Sequence, residues 1–236
     1  MRDPVLLAAL FAGPARPLAR PGHAPVASGI AKDRQAGPLR LFVDGLAGDE
    51  QGDRVYHGGP EKAVHHYAAE HYPLWRARWP DSLVAPAPGA FGENFSTTGM
   101  TEREVHLGDV YSVGGALLQV SQGRQPCWRL NRRIGRADAA PAMQASGATG
   151  WYYRVLEEGL VAPGDALELV ERPCPAWPLE RLIRALFPRD PAAPDLAAEW
   201  RLAAALAPLA PNWRSAFARR LASGRIEDWS RRLAEP

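Results

Sequence analysis

Short apolar runs separated by Gly and Pro fill the first 172 residues of the chain. Residues 5–11, 39–43, 63–67, 105–107, 110–113, 116–121 and 166–170 are rich in Val, Leu and Tyr and are bounded by turn residues, which predicts β-strands. Gly114-Gly115 between two such runs predicts a hairpin. Residues 68–79 place Tyr72, Trp75 and Trp79 at helical spacing, and Pro73 fits that helix only in its first turn. A second helix is expected over 139–146, with Gly147 as its stop.

After Arg172 the pattern changes. Pro173-Cys174-Pro175-Ala176-Trp177-Pro178 reads as an extended connection, because closely spaced prolines block both helix and ladder. Amphipathic stretches at 179–187, 195–206, 213–221 and 226–233 follow, separated by prolines, with Asn212 as an N-cap and Gly224 as a stop. The expected architecture is a mainly β domain with a few helices over 1–172, and a linker with a small helical bundle over 173–236.

Composition narrows the class. In 236 residues, 46% are hydrophobic and 23% charged, the balance of a globular chain and not of a disordered one. No apolar run reaches the roughly 20 residues of a membrane-spanning helix, so no membrane association is expected. A net charge of +2 does not announce a nucleic-acid binder. Two distant cysteines exclude a disulfide-built scaffold and a Cys-rich zinc site. Residues 5–11 follow Arg2, but Asp3 and Pro4 interrupt the start of any secretory signal. A first strand and a cytoplasmic location are the expectation.

Motifs for nucleotide phosphate cradles, dinucleotide sites, nucleophile elbows and zinc proteases are absent. Three segments carry candidate chemistry. Cys127, in Gln122-Gly123-Arg124-Gln125-Pro126-Cys127-Trp128, has Arg124, Arg129, Arg132 and Arg133 nearby, and positive charge favours thiolate, the form that attacks electrophiles and binds soft metals. Cys174 has no such setting. His57-Gly58-Gly59-Pro60-Glu61-Lys62 offers backbone amides to a ligand and a lysine to an anion. Phe91-Gly92-Glu93-Asn94 offers the Asn94 amide to a heterocycle edge. His65 and His66, adjacent in a strand, point to opposite faces, which argues against a histidine-only zinc site with His57 and His71.

Taken in order, GDEQ, HGGPEKAV, EHYxxW, FGEN, LGD and QVSQGRQPCWRLN resemble the MOSC-domain family in its YiiM-like branch, over about residues 5–171, with C-terminal helices similar to the extension of that branch. The resemblance implies a β-barrel-like fold that binds the molybdenum cofactor, molybdenum held by molybdopterin. It places Cys127 as the metal's thiolate ligand and catalytic residue. It also implies that Ser28, Lys32, His57, Gly58, Lys62, Asn94 and Arg124 hold the cofactor. The implied activity is the two-electron reduction of N-hydroxylated compounds such as hydroxylamino-purine bases, independent of pyridoxal phosphate. Electrons would come from a separate flavoprotein reductase, since no flavin, haem or nicotinamide motif is visible. Two other readings stay open: a persulfide carrier at Cys127, and a non-enzymatic cofactor- or nucleic-acid-binding module using the arginine-rich C-terminal helices, with nucleic acid the less expected partner.

Overall fold

The computed structural model describes residues 4–53 and 57–234; Val55 and Tyr56 of the segment leading into His57 lie outside it. The chain runs β1 Val5–Ala12, β2 Arg16–Arg20, β3 His23–Ser28, β4 Asp33–Gln35, β5 Leu39–Phe42, β6 Gly45–Leu46, β7 Val64–Ala68, α1 Tyr72–Arg78, β8 Phe95–Thr97, β9 Val110–Val113, β10 Ala116–Gly123, α2 Trp128–Ile134 and α3 Ala139–Ser146. It continues β11 Trp151–Glu157, β12 Gly159–Val161, β13 Ala166–Glu171, α4 Leu179–Leu186, α5 Leu196–Ala204, α6 Pro211–Ser223 and α7 Ser230–Leu233.

Seven strands close a barrel in the order β1-β13-β9-β10-β11-β7-β8, with β8 returning to β1 and β4 attached outside. All these pairings are antiparallel except β7 with β8. Closure leaves no long unpaired edge among the seven. In β11 the inward residues are Trp151, Tyr153 and Val155, the period of two that a half-buried strand requires. The β10–β11 register shifts between Val120 and Gln122. Such a bulge bends a strand and re-aims the side chains that follow. Here it precedes the segment from Gly123 to Cys127.

Several expected elements differ in the structure: α6 begins at Pro211 with Ala210 as its N-cap, so Asn212 lies inside the helix. Residues 105–107 form no strand: His106 makes one isolated bridge to Pro178, and the turn is held by the Asp109 carboxylate, which accepts from the His106 N–H at 2.9 Å. The helix expected over 68–79 begins as a 3-10 turn at Ala69–His71 and becomes α1 only at Tyr72, which puts Pro73 in the first turn. At the C-terminus only Ser230–Leu233 of the expected 226–233 stretch is helical.

The C-terminal helices pack directly on the barrel. Leu182, Ile183 and Trp213 belong to the same buried cluster as Val120 and Trp151. A Cβ on Gly123 would lie 2.7 Å from Ile183 and 3.0 Å from Trp213, so glycine is what lets β10 touch both helices. Arg154 of β11 adds a tie, bonding the Glu61 carboxylate and the Pro208 carbonyl (2.8 Å). Arg220, 1% exposed, forks onto Glu227 and donates to the Leu186 carbonyl at 2.8 Å. A second cluster of Tyr67, Tyr72, Trp75, Trp79, Phe91, Leu130, Ile134 and Met143 joins α1, α2 and α3.

Candidate cofactor and active site

The end of β3, the loop over 49–53, the β7 entry, the 91–94 turn and the start of α2 surround one cleft of about 670 Å³, its open mouth included. Gly52 sets one lip: a Cβ there would stand 2.1 Å from the Ala27 carbonyl oxygen, so only glycine lets the loop lie on β3. Ser28, Lys32, His57, Lys62, Asn94, Arg124 and Cys127, widely spaced in sequence, all line this cleft. Gly58 follows His57 at a half-buried position and does not line it.

Cys127 sits between β10 and α2 as the N-cap residue of α2, with extended backbone and no side-chain cap bond. Its Sγ lies 3.5 Å from His57 Nε2. On the other side of the ring, His57 Nδ1 is 3.8 Å from Asp53 Oδ2, beyond hydrogen-bond reach but close enough for charge to act. Burial pushes the thiol up. The His57 hydrogen bond and charge, the Arg129 amide and the Arg124 charge outweigh it and bring Cys127 from 9.0 down to about 7. Cys174 goes the other way, pushed up by burial and Asp109.

The neighbouring cations are held differently. Arg124 is 6% exposed, its Nη1 reaches only the Met143 sulfur (3.5 Å), and no carboxylate among the described residues pairs with it. A buried guanidinium without a carboxylate is costly unless a negative group lies beside it. Burial pushes Lys62 below its ordinary value, with Asp53 and the Cys127 thiolate opposing. Burial also pushes Arg232 of α7 down to about 10, against the pull of Cys127 and Glu227, so it stays cationic at neutral pH. Lys32 is engaged: its ammonium binds both oxygens of Asp49, Oδ2 at 2.6 Å.

Asn94 does not present the free amide expected of it. Its Nδ2 donates to the Phe11 carbonyl (3.1 Å) and to Asp49 Oδ2 (2.9 Å), and its Oδ1 accepts the His65 amide (3.0 Å). The two N–H bonds fix β1 and Asp49 and the carbonyl oxygen fixes β7, so Asn94 shapes the cleft wall. Glu93 beside it is likewise internal, accepting from Tyr72 and the Gly89 and Phe91 amides. Ser28 Oγ accepts from the Ile30 amide at 3.3 Å.

Among the lining residues, Asp53 and Tyr152 were not singled out from the sequence, and His65, Asp49 and Arg129 were noted there without being assigned to the cleft. His65 and His66 do point to opposite sides: His66 faces Tyr153 and Thr97, whereas His65 lies against Tyr152 with ring centroids 5.0 Å apart. Burial, then the Arg124 charge, push His65 well below its ordinary value, so its ring is neutral. That alternation was legible, but which side opens on the cleft was not. Arg132 lines a different groove, with Trp128, which is packed between the Arg20 and Arg129 guanidinium groups. Trp151 is fully buried and offers no face to a ligand.

Among the described residues no three His, Cys, Asp or Glu side chains are grouped to hold a metal ion. One activated cysteine can complete a metal's ligand set only if the metal arrives with its other ligands. A lone thiolate beside a buried, uncompensated arginine fits a metal carried by an anionic cofactor.

Residues 53–168 match the MOSC domain, and residues 177–224 match the YiiM-like, 3-alpha helix domain. Protein YiiM of Escherichia coli K12 is 40% identical over 206 residues, 87% of this chain and 90% of that one. The chain belongs to the YiiM family of MOSC-domain proteins. The crystal structure of YiiM from Escherichia coli superposes with a TM-score of 0.78 and 34% identity over 99% of both chains. A Gibberella moniliformis protein named Reductase is 41% identical over 164 residues, 68% of this chain and 29% of that longer one. MOSC domains are generally associated with molybdenum cofactor binding. No helix among the described residues is long and apolar enough to cross a membrane.

Proposed function

We propose that this YiiM-family protein is a molybdenum cofactor-dependent reductase of N-hydroxylated compounds. The observation that carries the reading is the Cys127 sulfur, lowered to about 7 beside His57 in a cleft that also holds an unpaired buried Arg124. Cys127 would supply the protein's thiolate to molybdenum, and Arg124, Lys62 and the His57-Gly58 turn would hold the anionic pterin. When bound, the cofactor supplies the two-electron chemistry: R–NHOH with two electrons and two protons becomes R–NH2 and water. The chain's own residues bind, orient and deliver protons. Asp53 and Cys127 flank His57 on its two ring nitrogens, which suits that imidazole to pass a proton into the cleft. The neutral His65 ring and Tyr152 form an aromatic wall against which a planar substrate packs. The electrons come from a separate flavoprotein reductase, and the protein works in the cytoplasm.

The test uses protein purified with its cofactor, a hydroxylamino-purine and a chemically reduced one-electron donor. Wild type should turn over, Cys127→Ala should not while keeping its fold, and NADH alone should support neither. Full activity in Cys127→Ala, or turnover of wild type with NADH alone, removes the reading. A second reading rests on the same Cys127–His57 pair: a histidine-activated thiolate is also equipped to carry a persulfide. A sulfur adduct on Cys127 without molybdenum in the purified protein would favour it.

A further inference from the structure

Arg232 lies in α7, beyond the 177–224 segment that matches the three-helix family. Its guanidinium reaches across the molecule. It donates to the carbonyl of Pro126, the residue before Cys127, and to Gln144 Oε1 in α3, and it packs 5.4 Å over the Phe187 ring. The next residue is tied as well: the Leu233 carbonyl accepts from Asn131 Nδ2 of α2 at 2.7 Å. The last turn of the described chain therefore grips α2 at both ends of its first turn. That grip matters because the sulfur is aimed by what surrounds the start of α2: the Arg129 amide of its first turn acts on the thiol, so moving the start of α2 moves the sulfur. Pro126 has no N–H with which to anchor the peptide. The Pro126 carbonyl is the anchor available, and Arg232 holds it.

We propose that Arg232 is a positioning residue for Cys127, and that the C-terminal helices serve as a clamp that aims the sulfur into the cleft against His57. The role rests on Cys127 being the working sulfur. It gives the extension a task that the barrel cannot perform alone: the bundle is docked on β10 through Gly123, and its far end returns to the residue beside the thiol.

The test is alkylation of metal-free, full-length protein by iodoacetamide at pH 7, read separately at Cys127 and Cys174 by peptide mass. Arg232→Met should lower the Cys127 to Cys174 rate ratio at least about fivefold, because the sulfur loses its His57 contact and a nearby cation. Arg232→Lys, which keeps charge and a donor, should restore the ratio to within about twofold, and the exposed Arg231→Met should leave it unchanged. Should Arg232→Met fail to fold, Gln144→Leu, which frees the other arm of the fork, should lower the ratio in the same direction. An unchanged ratio in a folded Arg232→Met, or no rescue by lysine, overturns the clamp. Wild-type Cys127 reacting no faster than Cys174 would instead sink the reading of Cys127 as the working sulfur, so the two failures are distinguishable.

Discussion

His57→Phe in metal-free protein tests how the thiol is activated. Burial alone would raise Cys127 above its ordinary 9.0; His57 supplies the largest opposing contributions, and the balance is about 7. With His57 gone the burial cost remains, so the thiol returns to about 9 or above. At pH 7 the thiolate fraction then falls from roughly one half to roughly 1%. A more basic thiolate is intrinsically more nucleophilic, with a slope of about 0.4–0.5, which restores roughly 6–10-fold over two pKa units. The net expectation is alkylation about 5–8-fold slower at pH 7, with the order of the two proteins reversed near pH 10, where both are mostly ionised. The assay is the iodoacetamide rate against pH, with Cys127 resolved from Cys174. A variant whose midpoint stays near 7 would refute the assignment of His57 as the activating group. So would a variant slower by the same factor at every pH, which would point to access and not ionisation.

Lys32→Met leaves the Asp49 carboxylate, 2% exposed, with the Gly13 and Asn94 donors alone. It should cost about 3 kcal/mol in urea unfolding, and a loss under about 1 kcal/mol would show that the pair contributes little. Arg220→Met should cost less, about 1–2 kcal/mol, by leaving the Leu186 carbonyl without that donor and the partly exposed Glu227 without its partner; an unfolding midpoint equal to wild type contradicts that. His71 is pushed down by burial but raised more by Glu102, whose carboxylate lies 2.6 Å away, so its folded value sits above 6.5. A raised value stabilises the fold in full below 6.5 and loses that contribution as pH rises through the folded value. Wild type should therefore lose stability relative to His71→Gln on going from pH 6 to 9, and parallel curves would contradict the linkage.

The barrel was legible where strands carried dense apolar runs, as in β1, β9, β10 and β13. The separate β2–β3 hairpin was not legible: its residues are mostly exposed and include Pro17 and Pro25, so no alternation marks it. Strand β11 carried a clean period of two in Trp151, Tyr153 and Val155 and was overlooked. Helix α2 is only seven residues long and starts on an uncapped cysteine after a proline, so local signals did not reveal it. For the site, Cys127 among its arginines and Lys62 after the glycine turn were readable from residue type and spacing, because reactive sulfur and anion-binding charge have recognisable neighbours; the roles of His57 and Arg124 toward a cofactor came only from the family resemblance. Asn94 was noted from the sequence and Lys32 came from the family resemblance, but the bonding of neither was legible: both engage Asp49, a partner that only the tertiary fold brings into place. Arg232 had no local signal at all, since its value comes from Pro126, 106 residues earlier in the chain.

The most direct measurement is X-ray absorption at the molybdenum edge of protein purified with its cofactor, compared between wild type and Cys127→Ser. The account predicts molybdenum in both and one sulfur neighbour fewer in the variant. An identical sulfur count in the two, or wild-type protein matured with ample cofactor yet holding no molybdenum, would contradict it.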